Sequence, residues 1–221
     1  MKKVLTIMLG LAVVFFLGFS AGASAEEYVG FSQADEHGYV MAEVQIENGE
    51  ILSVSLTEFN DLGQAKGEDY PWDEFHEAME VLPERFVEAN SADVDGISGA
   101  TNTAEKAMEA VQMALDKSEG VETFDGTFLG VSEPSERGNV GVAWVTVEGD
   151  EIVDVRLEEA DDEGEFKDED YPWAEFHFAQ DLVADAFVLF DSPDVDTYTG
   201  ATSSSELWIE AVRNALEKAG W

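Results

Sequence analysis

Apolar and polar positions alternate along two well-separated stretches of the chain. From Val40 to Ile46 every second residue is apolar (Val40, Ala42, Val44, Ile46), Glu47-Asn48-Gly49-Glu50 interrupts, and alternation resumes from Ile51 to Leu56. This period of two predicts a β-hairpin with one buried face. The pattern returns as Val140 to Val147, a turn at Glu148-Gly149-Asp150, and Ile152 to Leu157. Short edge strands are expected ahead of each hairpin, near Tyr28–Phe31 and Thr127–Val131. A charged, glycine-containing loop follows each hairpin (Asp61–Asp69, Asp161–Asp170), and then the period changes. Trp72, Phe75, Met79, Leu82 and Phe86 share one face of a helix opening after Pro71, which Pro83 is expected to kink or divide. A last helix carries Met108, Val111 and Leu115, matched by Ile209, Val212 and Leu216. Each half reads β-β-β-α-α, an α+β domain with helices packed on one face of a small antiparallel sheet.

The two halves are copies. Tyr70-Pro71-Trp72 recurs as Tyr171-Pro172-Trp173 and Glu74-Phe75-His76 as Glu175-Phe176-His177, each 101 residues later. Nearer the start the offset slips to 100 (Gly30 to Gly130), so one residue is gained or lost in an early loop. Two tandem domains are expected, 26–119 and 123–221, each large enough for a small core. A short polar join, Lys117 to Glu122, connects them.

Ahead of them, residues 1–25 read as a signal peptide. Lys2 and Lys3 form the charged start, Val4 to Phe19 the apolar run, and Ala23-Ser24-Ala25 an A-x-A cleavage site, which implies a secreted, cell-surface or periplasmic protein. An uncleaved anchor is the alternative, though the run is short for a bilayer span. Without the leader's two lysines the 11 basic residues fall to 9 against 49 acidic ones, a net charge of −40. So acidic a surface excludes nucleic acid as a partner. With 45% hydrophobic and 11% aromatic residues the chain still has material for cores, so the charge reads as a solvated, halophilic surface. There is no cysteine, hence no disulfide, iron–sulfur cluster or c-type haem, and an organic cofactor must carry any electrons.

The candidate chemistry lies in a stretch that occurs twice. Asp95-Gly96-Ile97-Ser98-Gly99-Ala100-Thr101 and Asp196-Thr197-Tyr198-Thr199-Gly200-Ala201-Thr202 both read D-x-x-[S/T]-G-A-T and both run into a helical pattern. Asn102 with Glu105, and Ser203 with Glu206, have the spacing of an N-cap and its N3 partner. The threonine hydroxyl is thereby expected where free amides and the positive helix end favour a phosphate. This stretch resembles the flavinylation motif of the FMN-binding domain family. That family includes the peripheral flavin subunits of sodium-pumping NADH:quinone reductases and Rnf complexes, and secreted flavoproteins of extracellular electron transfer. The resemblance implies FMN held through a phosphoester by the motif's last threonine, here Thr101 and Thr202, up to two per chain. Asp95, Ser98, Gly99 and Ala100 would surround the first site, and Asp196, Thr199, Gly200 and Ala201 the second. It also implies a separate flavin transferase, using FAD and a divalent metal, as the maturation partner.

The Y-P-W-x-E-F-H stretch has two readings. In one, Trp72 and Trp173 stack on the flavin ring with His76 and His177 near its polar edge. In the other, the aromatics fill a helix–sheet core. A calcium-loop reading of Ser91 to Asn102 fails, because position 12 carries no carboxylate. Two functions remain: a secreted electron carrier, not itself an enzyme, serving an unidentified redox donor and acceptor that could be membrane-bound; or an acidic, cation-binding surface protein without redox function.

Overall fold

The computed structural model describes residues 25–221, so the expected leader lies outside the described residues except for its last position, Ala25. Ten elements follow in two identical sets: β1 (Glu26–Phe31), β2 (Tyr39–Glu47), β3 (Glu50–Phe59), α1 (Asp73–Ala89) and α2 (Thr101–Ser118), then β4 (Gly126–Val131), β5 (Val140–Glu148), β6 (Glu151–Ala160), α3 (Ala174–Phe190) and α4 (Thr202–Ala219). Each set forms an antiparallel three-stranded sheet in sequential order. The β2–β3 hairpin turns through Asn48 and Gly49, both at positive φ (55° and 80°), the backbone twist a two-residue hairpin demands. Gly149 and Asp150 do the same between β5 and β6. Both hairpins carry a register shift at the same place, Gln45/Ile46 and Thr146/Val147.

Two helices cover one face of each sheet. In the first domain Val40, Ala42, Val44 and Ile46 of β2 meet Leu82 and Phe86 of α1 and a run of alanines on α2. The buried face of α2 is Ala104, Ala107, Ala110, Val111 and Ala114, whereas Met108 and Leu115 are only half-buried, so the expected stripe is rotated by about one position. Small side chains win here because the strand facing them is glycine. A Cβ on Gly30 would stand 2.6 Å from the Ala114 nitrogen, so the helix backbone lies directly on β1. Helix α1 corrects two expectations. Pro83 does not divide it: the helix runs through, with Ala78, Leu82 and Phe86 buried on either side. Its start is Asp73, with Trp72 as N-cap and 37% exposed, so Trp72 stands outside the buried stripe.

The domains do not stand apart. Strand β5 is buried on both sides: Ala143, Val145 and Val147 face α3 and α4, while Val142 and Trp144 face the first domain, where they join Tyr39 and Leu129 in a shared cluster. The Arg156 guanidinium lies 3.6 Å from the Trp144 ring centre on that side. Lys117 and Lys218, the last-turn lysines of α2 and α4, each reach an edge strand, donating to the carbonyls of Val29 and Leu129. Lys218 also lies 4.5 Å above the Tyr39 ring, across the domain junction.

Burial pushes the Lys218 pKa down to about 8, with Glu217 pulling the other way. Below that value the ammonium is charged in the folded and unfolded chain alike, and its burial costs stability. Between about 8 and the usual 10.5 only the unfolded chain keeps the proton, so stability rises with pH. A shift of this size corresponds to on the order of 3 kcal/mol. Urea midpoints should therefore rise between pH 7.5 and pH 9.5 (roughly the window that pKa sets), and Lys218→Met should flatten the rise. A wild-type midpoint that fell across the window would refute a charged, buried Lys218. Tyr39, raised to about 12 by burial, titrates above this range.

Candidate functional site

The D-x-x-[S/T]-G-A-T stretch forms the turn into α2 and, again, into α4. Gly99 and Gly200 take positive φ (91° and 107°), and the next residues, Ala100 and Ala201, are buried N-caps. The helices begin at Thr101 and Thr202, and their caps, Ala100 and Ala201, lie two residues earlier than the Asn102 and Ser203 caps expected, because the left-handed glycine completes the turn at once. No side chain caps the first turn of either helix, so amides at its open end remain available. Thr101 and Thr202 are exposed first-turn residues, and Ser98 and Thr199 are exposed in the turn before them. The carboxylates of Asp95 and Asp196 face solvent; in the first copy the Asp95 and Gly96 carbonyls accept from Arg85, which ties the turn to α1.

A cleft of about 1260 Å³ opens beside Thr202. Its walls include Gly200, Ser203, Trp173, Tyr171, Lys167 and Glu159. Trp173 is 40% exposed. Glu159 is buried, paired with Lys167 and accepting from Asn139 Nδ2 at 2.7 Å, and its Oε2 has no hydrogen-bond partner. Lys167 also sits 4.8 Å above the Tyr171 ring. The first domain repeats the arrangement with Glu58, Lys66 and Tyr70, and Glu58 Oε2 is likewise buried without a partner. A buried acceptor without a donor is costly, on the order of 1–3 kcal/mol.

The sequence reading did not single out these carboxylate–lysine pairs. The signal was present: Lys66 and Lys167, and Glu58 and Glu159, recur at the 101-residue offset in a chain with few lysines. The slip in the offset also acquires a place. The extra residue is Asn139, on the cleft wall and bonded to Glu159. A further unanticipated neighbour is the first-turn glutamate of α1 and α3: Glu74 Cγ would stand 2.9 Å from a Cβ on Gly99, and Glu175 Cγ 3.7 Å from one on Gly200.

The aromatic stretch divides between its two readings. Phe75 and Phe176 are buried in the cores, while Trp72 and Trp173 are partly exposed. The histidines are taken up by structure: the Nε2 of His76 contacts the Tyr70 carbonyl at 2.7 Å and that of His177 the Tyr171 carbonyl at 2.9 Å, stapling the Y-P-W turn to its helix. His177 borders a groove between the domains with Arg156 and Trp144, not the cleft beside Thr202. Trp208, which stands where the first copy has Ala107, is fully buried, donating to the Glu158 carbonyl and packing on Phe176.

Comparison with known proteins bears on this geometry. The family model for the FMN-binding domain matches residues 37–116 and again 138–217. Among curated proteins none matches the chain. A solved structure, the CPE2226 protein from Clostridium perfringens, is 22% identical, covering 44% of this chain and 88% of that one with a TM-score of 0.38. The two family matches span most of the chain and both end on the helix that starts at the motif threonine, so this protein belongs to the FMN-binding domain family and is a flavin-binding protein with the domain in tandem.

Proposed function

We propose that the protein is an exported electron carrier that holds FMN through phosphoester bonds at Thr101 and Thr202, attached by a flavin transferase. The observation that carries this reading is the second site: an uncapped helix start with an exposed threonine at the mouth of a cleft. That cleft holds a buried carboxylate with one unsatisfied oxygen. The donor set fits FMN. First-turn amides of α4 suit a phosphate, Trp173 and Tyr171 offer aromatic surface for a flat ring, and Lys167 with Glu159 offers a donor and an acceptor for its polar edge. FMN supplies reversible redox chemistry when bound; the protein's part is to hold it, set its surroundings and keep it near the surface.

The same cleft explains why a tether is useful. Glu133, Glu136, Asp161, Glu165, Asp168 and Asp170 stand around it, with Arg137 and Lys167 as the basic members of the wall. A helix end offers an anion about 0.3–1 kcal/mol. A single carboxylate about 10 Å away opposes it by roughly 0.4 kcal/mol in water, so several neighbours cancel the attraction at low salt. A covalent bond removes the need for equilibrium binding of the phosphate. Export through the leader would place the carrier among extracellular or membrane-bound redox partners.

The test is direct. Protein purified from cells that contain the transferase, denatured and passed through a filter, should keep its yellow absorbance and should bleach and recover through a cycle of reduction and reoxidation. Loss of all colour to the filtrate would remove the covalent assignment. Retained flavin that could not be cycled would remove electron transfer.

A further inference from the structure

The two flavin sites differ by a bridge present in one of them. In the first domain Lys106 of α2 is buried, and its Nζ donates to Asp35 Oδ1 at 2.5 Å and to the Gly38 carbonyl at 2.8 Å. Asn102 Nδ2 donates to Asp35 Oδ2 at 3.3 Å. Asp35 belongs to the loop between β1 and β2, so this loop is bonded across to the first two turns of the helix that Thr101 begins. Its far side is held by the second domain: Trp144 Nε1 donates to the Asp35 carbonyl at 3.3 Å and Ala34 N to the Thr127 carbonyl at 2.8 Å.

The second domain has the same loop and helix without the bridge. Leu207 stands where the first copy has Lys106, Ser135 where it has Asp35, and Ser203 where it has Asn102. The loop is one residue longer, and Ser135 bonds within it, to the carbonyl and the amide of Asn139. The cleft beside Thr202 lies between this loop and α4, bordered by Ser135 and Leu207 themselves. The residues that would close the second cleft are thus the ones exchanged between the copies.

We infer that the Asp35–Lys106 bridge makes the two sites unequal: the ring of a flavin on Thr202 lies within its cleft, and the ring of one on Thr101 stays in solvent. Both threonines are exposed, so the bridge governs where the ring goes and not whether the hydroxyl can accept FMN. The inference rests on the covalent reading above. It gives one chain a shielded flavin and an exposed one, in domains that share a packed interface.

Full-length Thr101→Ala and Thr202→Ala chains, each produced with the transferase and carrying one flavin, separate the sites. Acrylamide should quench the fluorescence of the Thr101 flavin several-fold more steeply than that of the Thr202 flavin. Adding Lys106→Leu, the residue the second copy uses, should bring the Thr101 flavin close to the shielded value. The reciprocal pair Ser135→Asp with Leu207→Lys should expose the Thr202 flavin. Equal quenching at the two sites, or no response to either exchange, overturns the bridge. Flavin found on neither threonine by peptide mass overturns the covalent reading instead. Equilibrium dialysis of free FMN against the full-length wild-type and Lys106→Leu chains then decides the bridge: one FMN bound by the wild type and two by Lys106→Leu support it, and equal numbers overturn it.

Discussion

Replacing Thr202 by alanine should remove one protein-bound flavin, Thr101→Ala should remove the other, and the double variant should keep none through denaturation. The effect is all-or-none because an ester needs the hydroxyl oxygen at the motif position: Ala100 and Ala201 have none, Asn102 has none, and the Ser203 hydroxyl lies one residue further on, about 100° around the helix axis. Folding should hardly change. Both threonines are exposed first-turn residues, their helices are capped by backbone at Ala100 and Ala201 rather than by these side chains, and alanine is the better helix former. Exposed substitutions of this kind stay within about 0.5 kcal/mol. Thr101→Ser and Thr202→Ser restore the oxygen and should restore flavin, which separates loss of the acceptor from damage to the turn. Intact mass and visible absorbance after denaturation read the outcome. A double alanine variant that still carried stoichiometric flavin would show that the phosphoester lies elsewhere.

How far the sequence foretold the site depends on which force placed each residue. Alternation found the hairpins, because burial of one sheet face imposes a period of two and the Asn48-Gly49 turn can take positive φ. The outer face of β5 was passed over, since Val142 and Trp144 alternate with the residues of the helix face and are buried only by the neighbouring domain. The helix stripe came out rotated because alanine is weakly apolar, yet against Gly30 it is the only size that lets helix and strand touch. Cap statistics drew the helix starts to Asn102 and Ser203. The glycine turn placed them earlier and released Asn102 to bind Asp35. Buried pairs such as Glu159 with Lys167 escape hydropathy altogether, since a charged residue reads as surface until its partner is known. The exposure of the motif threonines was legible because the turn that presents them is local.

That close helix–strand contact carries the second large effect: Gly130→Ala should destabilise the second domain by on the order of 3 kcal/mol or more. Gly130 lies in β4 under α4, and a Cβ there would stand 2.5 Å from the Ala215 nitrogen and closer still to the Ala211 carbonyl oxygen. Both are backbone atoms of the helix, so no rotamer change can relieve the clash. Helix α4 must lift from the sheet, and it cannot lift freely, because Trp208, Ala211, Val212 and Ala215 are buried along its length. Close-packed interiors transmit such a displacement instead of absorbing it. The helix begins at Thr202, so whatever movement the fold tolerates also shifts the cleft wall carrying Ser203 and Leu207. Urea unfolding should show a lower midpoint for the variant. In a chain kept folded at low urea, the Thr202 flavin should become more accessible to acrylamide while the Thr101 flavin is unchanged. Gly30→Ala, facing Ala110 and Ala114 in the first domain, should reproduce the loss of stability there. A variant within about 1 kcal/mol of wild type would show that the helix slides on the sheet at little cost. In that case the glycine–alanine contact does not set the position of the flavin site.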